Sequence, residues 1–544
     1  LKGHSMDLRG VYFDKNQWDG MALPSWPEVL TCLPDPVFDE RPAAIGAYWK
    51  GWELAVKAMQ SPRPGSGLVS NHLFFVFNDA ANGAIFAHDS SLMTMYGRFG
   101  WRAFPAIETL DNFYARQHDT GEICREIRHR TGEDVWPNDE GDPMTVRLEG
   151  PWERHGGDWS KVKSYAWRRP TLGQIPPARC RIDAFTDHKF HWAEWLNYRI
   201  TGDANRLARV ITPLEKLHDA FVAYLRDTNG LYITDWAGMD NSPRNDHLGY
   251  GVDISAQMAF FARTLSDMYC VLNEEKRTRH FRLLAEEQAD RVRRQLWNPS
   301  TGLFHDLRFD GTLAPVKTVM GFAPLLGCDP SPDQLAGLVD QLENPATFNR
   351  PVRVPSLAAD EPDYAPWGEY YLGGVWPYTN AIVVEGLEHG GQTTLASAIA
   401  RNYWRAAVDI FEKTGTVWEY FAPEETSPGR GVNPEDAGKN ARGDFAGCGA
   451  YPVIATFLEH AIGLRPDAPR NELTWNLTST GRCGCRQFAF GTVCTDLIVK
   501  PRNDDNEEPV LESARSNHPY LLKLTWGESR KKNIRVTGSG GEVV

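Results

Sequence analysis

Hydrophobic residues recur every three or four positions over much of the first 465 residues, which is the spacing of one face of an α-helix. The first strong example covers residues 42–60, where Tyr48, Trp52 and Val56 fall on one side. The same pattern predicts further helices over residues 103–118, 183–198, 213–225, 254–272, 276–296, 316–326, 332–342, 378–387, 393–411 and 451–464. Short turns that contain Gly or Pro separate them, so we predict helical hairpins.

Roughly a dozen helices arranged in hairpins favour a toroid of inner and outer helices over a simple bundle. Loops rich in Trp, Gly and Asp lie between the hairpins at residues 236–246, 367–379 and 417–425. If the inner helices all run in one direction, these loops gather at one end of the toroid. We therefore expect a ligand cleft at that end.

The pattern changes after Pro466 to an alternation of apolar and polar residues, which is typical of β-strands. Strands are predicted at residues 473–477, 488–490, 493–499, 520–526 and 534–536, with an acidic loop at 502–508. The chain is thus divided into an N-terminal arm (1–40), a helical catalytic domain (41–465) and a small C-terminal β module (466–544). Residues 132–164, rich in Gly, Pro and charge, are a candidate lid.

Composition narrows the class of ligand. The chain has 544 residues, of which 42% are hydrophobic, and it carries a net charge of -13, which argues against a nucleic acid partner. Nineteen Trp, 18 Tyr and 25 Phe suit both stacking on sugar rings and a large core. There is no Gly-rich phosphate loop, dinucleotide motif or calcium-ligand spacing. We expect a small carbohydrate as the partner, and no cofactor or metal.

The cysteine pattern and the start of the chain bear on location. Among nine cysteines, the only close group is Cys483, Cys485 and Cys494, which lacks a second pair, so we expect free thiols. The sequence shows no apolar run long enough for a bilayer and no signal-like start. The expected location is the cytoplasm, with no membrane partner, although a removed signal peptide would leave no trace. The oligomeric state stays open.

Asp240 is a candidate catalytic acid. It lies in the string WAGMDNSPR at residues 236–244, where Gly238 and Pro243 predict a loop. Trp236 offers an apolar wall, which raises the pKa of a carboxyl group towards the value that a proton donor needs. The alternative is an Asx-turn, in which Asp240 or Asn241 only binds its own backbone.

Glu419 is the second carboxylate of interest, because it stands between Trp418 and Tyr420. Hydrolysis of a glycosidic bond usually needs two carboxyl groups, one that protonates the leaving oxygen and one that activates water. The alternative for Glu419 is an ion pair at a strand edge. Taken together, Asp240 and Glu419 favour catalysis, provided that folding brings them close.

Further candidates lie at the edges of predicted helices. His88 and Asp89 precede an apolar helical pattern, so Asp89 is either a helix N-cap or a ligand of a sugar hydroxyl. Gln117 and Lys189 are weaker candidates for substrate binding, since each borders a helix and can simply cap it.

Three strings, WAGMDNSPR at 236–244, GVWPYTN at 374–380 and WEY at 418–420, resemble glycoside hydrolase family 63 and the related mannosylglycerate and glucosylglycerate hydrolases. The resemblance implies an (α/α)6 toroid and inverting hydrolysis of an α-glycoside, usually an α-glucoside. It makes Asp240 the acid and Glu419 the base, and it places Asp89 at the sugar. His88 departs from the family, which usually has Trp there.

The resulting hypothesis is that Asp240 protonates the glycosidic oxygen while Glu419 deprotonates water, across about 6.5 to 9.5 Å. Asp89 and Arg244 are predicted to bind sugar hydroxyls, and four aromatic residues are predicted either to shape the glycone pocket or to pack in the core: Trp236, Trp376, Trp418 and Tyr420. A trehalase is a weaker match, because its signature strings are not found.

Two other classes compete with a hydrolase. A sugar epimerase on a similar toroid would use histidine bases, for which the candidates are His188, His191 and His389. A non-catalytic carbohydrate-binding protein would keep the aromatic residues and need neither carboxylate. A polysaccharide lyase is disfavoured by the net charge of -13.

Overall fold

The structure is a computed structural model that describes residues 22–70, 73–74, 84–118, 121–132, 189–233, 239, 241–247, 249–430, 441–527, 530–538 and 540–543. Several sequence predictions fall wholly or partly on residues outside this description. They concern the arm up to residue 21, the lid after its first residue, the start of the helix predicted over 183–198, His188, Trp236 and Asp240.

Helices alternate along the described chain between an outer and an inner position. A short helix, α1 (Trp26–Leu30), comes first. The outer helices are α2 (Pro42–Lys57), α4 (Asp111–Ala115), α6 (Ala204–Leu225), α8 (Glu275–Gln295), α10 (Pro332–Glu343) and α12 (Thr393–Thr414). The inner helices are α3 (Ala87–Gly97), α5 (Phe190–Thr201), α7 (Val252–Val271), α9 (Pro324–Gly327), α11 (Pro377–His389) and α13 (Pro452–Ile462), the last of which is a π-helix. Short 3₁₀ segments, Ala106–Leu110 and Val319–Phe322, lead into α4 and towards α9.

The sequence explains which helices lie inside. Helix α13 reads PVIATFLEHAI and is buried along almost its whole length, as an apolar helix without a polar face must be. Helix α8 carries many charged residues and buries only one stripe, which includes Phe281 and Val292. Within the described residues, none of the helices combines the length and the apolar character needed to cross a bilayer.

The inner helices close into a ring. Helix α3 packs against α5, α5 against α7, α7 against α9 and α9 against α11. The turn Cys448–Ala450, which precedes α13, packs against α11, and α13 returns to α3. This arrangement confirms the predicted toroid of helical hairpins.

Local sequence signals fix several helix ends. Gly202 adopts a left-handed conformation with φ of 71° and separates α5 from α6 where the hairpin turn is predicted. Ser331 and Gln334 form a capping box at the start of α10. The helix predicted over 316–326 begins only at Val319, because the backbone N–H of Val319 donates to the Ser356 carbonyl. The helix predicted over 103–118 is reduced to a 3₁₀ segment followed by α4.

The C-terminal residues form two main sheets, and every predicted strand is present. One sheet has the order Asp35–Phe38, Cys483–Phe490, Val493–Val499 and Leu511–Ser516. The other has the order Leu464–Asp467, Glu472–Leu477, Tyr520–Trp526, Arg530–Thr537 and Gly540–Val543. Small two-stranded pairs join Met59–Gln60 to Leu73–Phe74, Ala84–Phe86 to Glu126–Arg128, Gly249–Tyr250 to Leu307–Arg308 and Trp297–Asn298 to Leu303–Phe304. Cys483 and Cys485 are buried free thiols, and Cys494 is a half-buried one.

The ring has two distinct ends. At the front end, where the inner helices start, the rings of His88 and Tyr378 lie 4.7 Å apart, and the Lys189 ammonium lies 5.3 Å from the Tyr378 ring centre. At the rear end, where these helices finish, Arg98 Nη2 binds Glu459 Oε1 at 2.5 Å. The C-terminal sheets pack on the rear end, where the Gly491 N–H donates to the Ile200 carbonyl at 2.8 Å.

Candidate active site

Glu419 lies on an extended segment at the front end, between two neighbouring segments. Phe421 and Val375 exchange backbone hydrogen bonds of 3.1 and 2.9 Å immediately before α11. On the other side, the Glu419 N–H donates to the Arg442 carbonyl at 3.0 Å. The backbone therefore fixes the position from which the Glu419 carboxylate projects.

The Glu419 carboxylate is buried, with 6% exposure, and is bound by one cation. Its Oε2 accepts a hydrogen bond from Arg442 Nε at 3.0 Å. Burial raises the pKa of Glu419, and the Arg442 charge and hydrogen bond act against that rise. Glu419 therefore forms an ion pair, as the alternative interpretation of the sequence expected. The same ion pair also lowers the pKa that burial raises. Arg442 was not predicted, because nothing in its polar loop sequence marks it.

Asp89 joins Glu419 at this site. The alternative that Asp89 is a helix N-cap is wrong, because α3 starts at Ala87 with Phe86 at the N-cap position, which puts Asp89 in the first turn, and its role in sugar binding stays a prediction. Asp89 is half-buried, and burial followed by the negative charge of Glu419 raises its pKa to about 6, while Arg442 acts in the opposite direction. Helix α3 therefore brings a second carboxyl group into the field of Glu419.

His88 and Lys189 lie near one another around Tyr378, as described for the front end. Lys189 is buried, with 3% exposure, and immediately precedes α5. Its side chain makes no capping hydrogen bond. Three inner helices, α3, α5 and α11, thus contribute to the same group of polar and aromatic side chains.

The loop around Asp240 is anchored on its described side. Asp240 itself lies outside the described residues, but the Asn241 side chain next to it bridges to another segment. Asn241 Oδ1 accepts from the Tyr371 N–H at 2.9 Å, and Asn241 Nδ2 donates to the Glu369 carbonyl at 3.1 Å. This amide holds the loop against the segment that leads into α11.

Arg244 is not available to a substrate, and its predicted role in binding hydroxyls is wrong. The side chain is 1% exposed. Its Nε and Nη2 donate to Asp306 at 2.5 and 2.7 Å, and its Nη1 and Nη2 donate to Asp253 at 2.6 Å each. The remaining N–H points to the Met239 sulfur at 4.0 Å. Since all five donors are in use, Arg244 anchors the loop to α7 and to the segment of Asp306.

Two predicted aromatic platforms are part of a packed cluster instead. The Trp376 ring is stacked between Tyr371, at 4.6 Å, and Tyr420, at 4.3 Å. Trp376 is 4% exposed and Tyr420 is 1% exposed, and the Tyr420 hydroxyl donates to the Arg430 carbonyl. Because both faces of Trp376 are covered, neither ring offers a face to a sugar, and this part of the prediction is wrong. The cluster supports the segment of Glu419 from behind.

Trp418 and Gln117 have different positions. Trp418 is half-buried, and its Nε1 donates to Thr414 Oγ1 at 2.9 Å. Gln117 is fully buried, and its Nε2 donates to the Gly121 and Pro213 carbonyls at 2.8 Å each. Gln117 therefore ties a turn to α6, and its predicted contact with substrate is wrong.

Of the three histidines of the epimerase alternative, His191 and His389 are described, and they lie apart from one another, whereas His188 lies outside the described residues. His191 is buried and stacks on Phe261 at 4.3 Å. His389 lies at the rear end, where its Nε2 pairs with Asp329 at 2.7 Å. In the part of the chain that the structure describes, no three His, Cys, Asp or Glu residues are grouped so as to hold a metal ion.

A closed ring of helical hairpins with acidic groups at the starts of its inner helices belongs to the (α/α)6 glycosidase class of folds. Residues 183–435 match the family described as "Mannosylglycerate hydrolase MGH1-like glycoside hydrolase domain". The match covers just under half of the chain and confirms the resemblance seen in the sequence.

Three similar proteins each share less than a third of their aligned residues with this chain. A protein of Borreliella burgdorferi, itself described as uncharacterized, is 27% identical over 320 residues, which are 57% of this chain and 66% of that protein, just under two thirds. The GH78 family rhamnosidase of a Bacillus species is 14% identical with a TM-score of 0.52, over 86% of this chain and 40% of its own. The GH63 mannosylglycerate hydrolase from Thermus thermophilus is 18% identical with a TM-score of 0.49, over 75% of this chain and 99% of its own. The rhamnosidase shares the fold.

Proposed function

We propose that the protein is an inverting glycoside hydrolase that cleaves an α-linked glycoside, best an α-glucoside of a small sugar or a glycerate-type aglycone. The observation that carries the proposal is the buried Glu419 carboxylate, bound by Arg442 and close enough to Asp89 for their charges to interact. A family match to glycoside hydrolases over residues 183–435 supports the reaction class.

In this proposal Glu419 is the general base. Its carboxylate removes a proton from a water molecule that attacks the anomeric carbon. Burial makes the carboxylate a better proton acceptor by raising its pKa, and the charge and hydrogen bonds of Arg442 act against that rise and favour the ionised form. The environment thus suits a base rather than a permanently charged group.

Asp240 is the proposed general acid, on the basis of the sequence motif. It protonates the glycosidic oxygen as the bond breaks. The anchoring of its neighbours by Asn241 and Arg244 supports a fixed position for the acid, which proton transfer requires. We expect its carboxyl group to stand about 6.5 to 9.5 Å from that of Glu419, which leaves room for water.

Substrate contacts are proposed for the side chains that remain accessible at the front end. Asp89 would accept a hydrogen bond from a sugar hydroxyl, and His88 and Trp418 are half-buried and can border the ring. Lys189 is buried at the start of α5 and is not one of these accessible side chains, so it would act through its positive charge, which suits an acidic aglycone such as glycerate. Trp236 is proposed as a pocket wall from its place in the motif alone.

The experiment is proton NMR of the first anomer released from a panel of α-linked glucosides, mannosides and their glycerate derivatives. We expect the β-anomer. Asp240→Asn and Glu419→Gln should each lower kcat/KM by about 10²- to 10⁴-fold while the fold, followed by circular dichroism, is retained. Glu425→Gln, an exposed residue on the same segment, is the matched control and should keep full activity.

The outcomes are distinct. Release of the α-anomer would show that the reaction follows a covalent, retaining route and not inversion. Full activity in either site variant would overturn the role of that residue. No turnover on any substrate, together with saturable sugar binding, would favour a carbohydrate-binding protein.

A further inference from the structure

A cavity of about 370 Å³ opens at the rear end, and Glu419 is not among its lining residues. Its wall includes Trp192 and Trp195 of α5, Phe260 of α7 and Glu385 of α11. The rings of Trp192 and Phe260 meet edge to face at 5.8 Å and border a smaller cavity on the front side as well. These rings therefore form part of the wall between the two ends. We call the cavity of about 370 Å³ the rear cavity.

Basic side chains around the rear cavity are already paired. Each arginine that lines it has a carboxylate partner: Arg98 with Glu459, Arg199 with Asp467, Arg263 with Asp329 and Arg465 with Glu388. An anionic ligand would have to compete with these partners. The rear cavity is therefore poorly suited to a phosphate or a carboxylate.

Hydrogen-bond acceptors, in contrast, are in excess. The half-buried Glu385 carboxyl receives no hydrogen bond from any described residue. Glu385 also lines a cavity of about 20 Å³ beside the rear cavity. There, the fully buried Asn380 Oδ1, which can only accept, also has no partner among the described residues. Buried oxygen atoms without donors are costly, so this region favours a ligand that brings N–H groups.

The electrostatic potential from the helix ends at the rear cavity also favours a positive ligand. Inner helices finish at the rear end, and the carbonyl ends of helices carry partial negative charge. Burial and the negative charges of Glu388 and Glu459 raise the pKa of Glu385, although Arg465 and Arg98 oppose them. A positive ligand would relieve this repulsion. Trp195 and Phe260 line the cavity with aromatic rings, and the faces of such rings attract cations.

We propose that the rear cavity binds a small organic ammonium ion, which donates hydrogen bonds to Glu385 and packs its carbon atoms against Trp195 and Phe260. Asp267, exposed and also part of the cavity lining, provides a second carboxylate towards which a diamine can extend. This site is separate from the proposed hydrolytic site, and it stands whether or not the protein hydrolyses glycosides.

The test is isothermal titration calorimetry of the full chain with 1,4-diaminobutane, at constant ionic strength and about one pH unit above neutrality, where carboxylates are ionised. We expect saturable binding of one diamine per chain. Glu385→Gln, which keeps the shape of the side chain, should weaken binding by about tenfold or more, as expected for one charge-assisted hydrogen bond. Asp267→Asn, a change on the surface that leaves the core untouched, should weaken binding less. Glu287→Gln on the outer surface of α8 is the matched control and should bind like the wild type.

Several results would overturn the proposal. They are no binding of the diamine, unchanged binding in both Glu385→Gln and Asp267→Asn, or tighter binding of glucose or inorganic phosphate than of the diamine. If potassium chloride competes equally well with the diamine, the rear cavity binds an inorganic cation, and the proposal of an organic one is wrong. A crystal structure that shows the diamine bound outside the rear cavity would also overturn the proposal.

Discussion

Two arginine side chains, Arg206 and Arg244, are buried in the same way in regions of very different regularity. Each is bound by two carboxylates, Arg206 by Glu194 and Asp111 and Arg244 by Asp253 and Asp306. Arg206 is 4% exposed and Arg244 is 1% exposed. Chemically, the two triads are almost equivalent.

Their surroundings differ. The triad of Arg206 connects three regular helices, since Asp111 starts α4, Glu194 lies in α5 and Arg206 lies in α6. The triad of Arg244 holds an irregular loop, with the 3₁₀ turn Pro243–His247, beside the proposed acid. The same chemistry therefore serves helix packing in one place and the geometry of a site in the other. Substitutions can separate these two consequences.

The largest effect is expected for Arg244→Met. It leaves Asp253 and Asp306 without their cation, which should lower the free energy of unfolding by about 3–5 kcal/mol. It also frees the acid loop, so kcat/KM of the folded fraction should fall by about 10²-fold. Urea denaturation and initial rates measure the two effects. An unchanged kcat/KM in folded protein would contradict the anchoring role.

Arg206→Met should lower the free energy of unfolding but leave kcat/KM nearly unchanged. Loss of the cation beside the fully buried Glu194 should again lower the free energy of unfolding by about 3–5 kcal/mol, measured by urea denaturation. The kcat/KM of the folded fraction should stay within about twofold, since no loop of the site depends on this triad. A large loss of activity at full folding would remove the distinction between the triads.

Arg442→Gln tests a third arginine, which pairs with one carboxylate and is 48% exposed. Its charge lowers the pKa of Glu419, so its removal raises that pKa further. Because the proposed base works only when ionised, the acid limb of the kcat/KM profile should move to higher pH. An Arg442→Lys variant should move it less. A shift to lower pH would exclude Glu419 as the base.

The smallest effect is expected for Glu287→Gln, which breaks an exposed pair with Arg291 on α8. Exposed pairs are screened by water, so the free energy of unfolding should change by less than about 0.5 kcal/mol. Thermal denaturation measures this. A loss comparable to that of Arg206→Met would mean that burial does not control the strength of these pairs.

Local patterns were sufficient for much of the fold. The helix predicted over 276–296 is Glu275–Gln295, and the strand predicted over 520–526 is Tyr520–Trp526. Both depend on periodicity within a single element, which the sequence displays directly. The break in the helix predicted over 316–326 depends on Ser356, a distant partner that no local pattern reveals.

Distant partners also explain why the roles of several site residues could not be predicted from the sequence. Arg244 stands beside Asp240 in the sequence, but its guanidinium binds carboxylates 9 and 62 residues away. Arg442, which controls Glu419, follows it by 23 residues within a polar loop. Gln117 donates to a carbonyl 96 residues away. Residue type indicates what a side chain can bind, whereas tertiary contacts decide which partner it binds. The roles of Asp240 and Glu419 remain predictions.

The strand Asp35–Phe38 has a consequence for biosynthesis. It pairs with Cys483–Phe490, and the ion pair between Asp35 and Arg486 spans 451 residues. At about 5–20 residues per second, a ribosome needs about 20–90 s to make that stretch. During this time the edge of the early strand has no partner, and unpaired edges attract other chains. A nascent chain of this protein therefore depends on protection of its first strand until the last domain emerges.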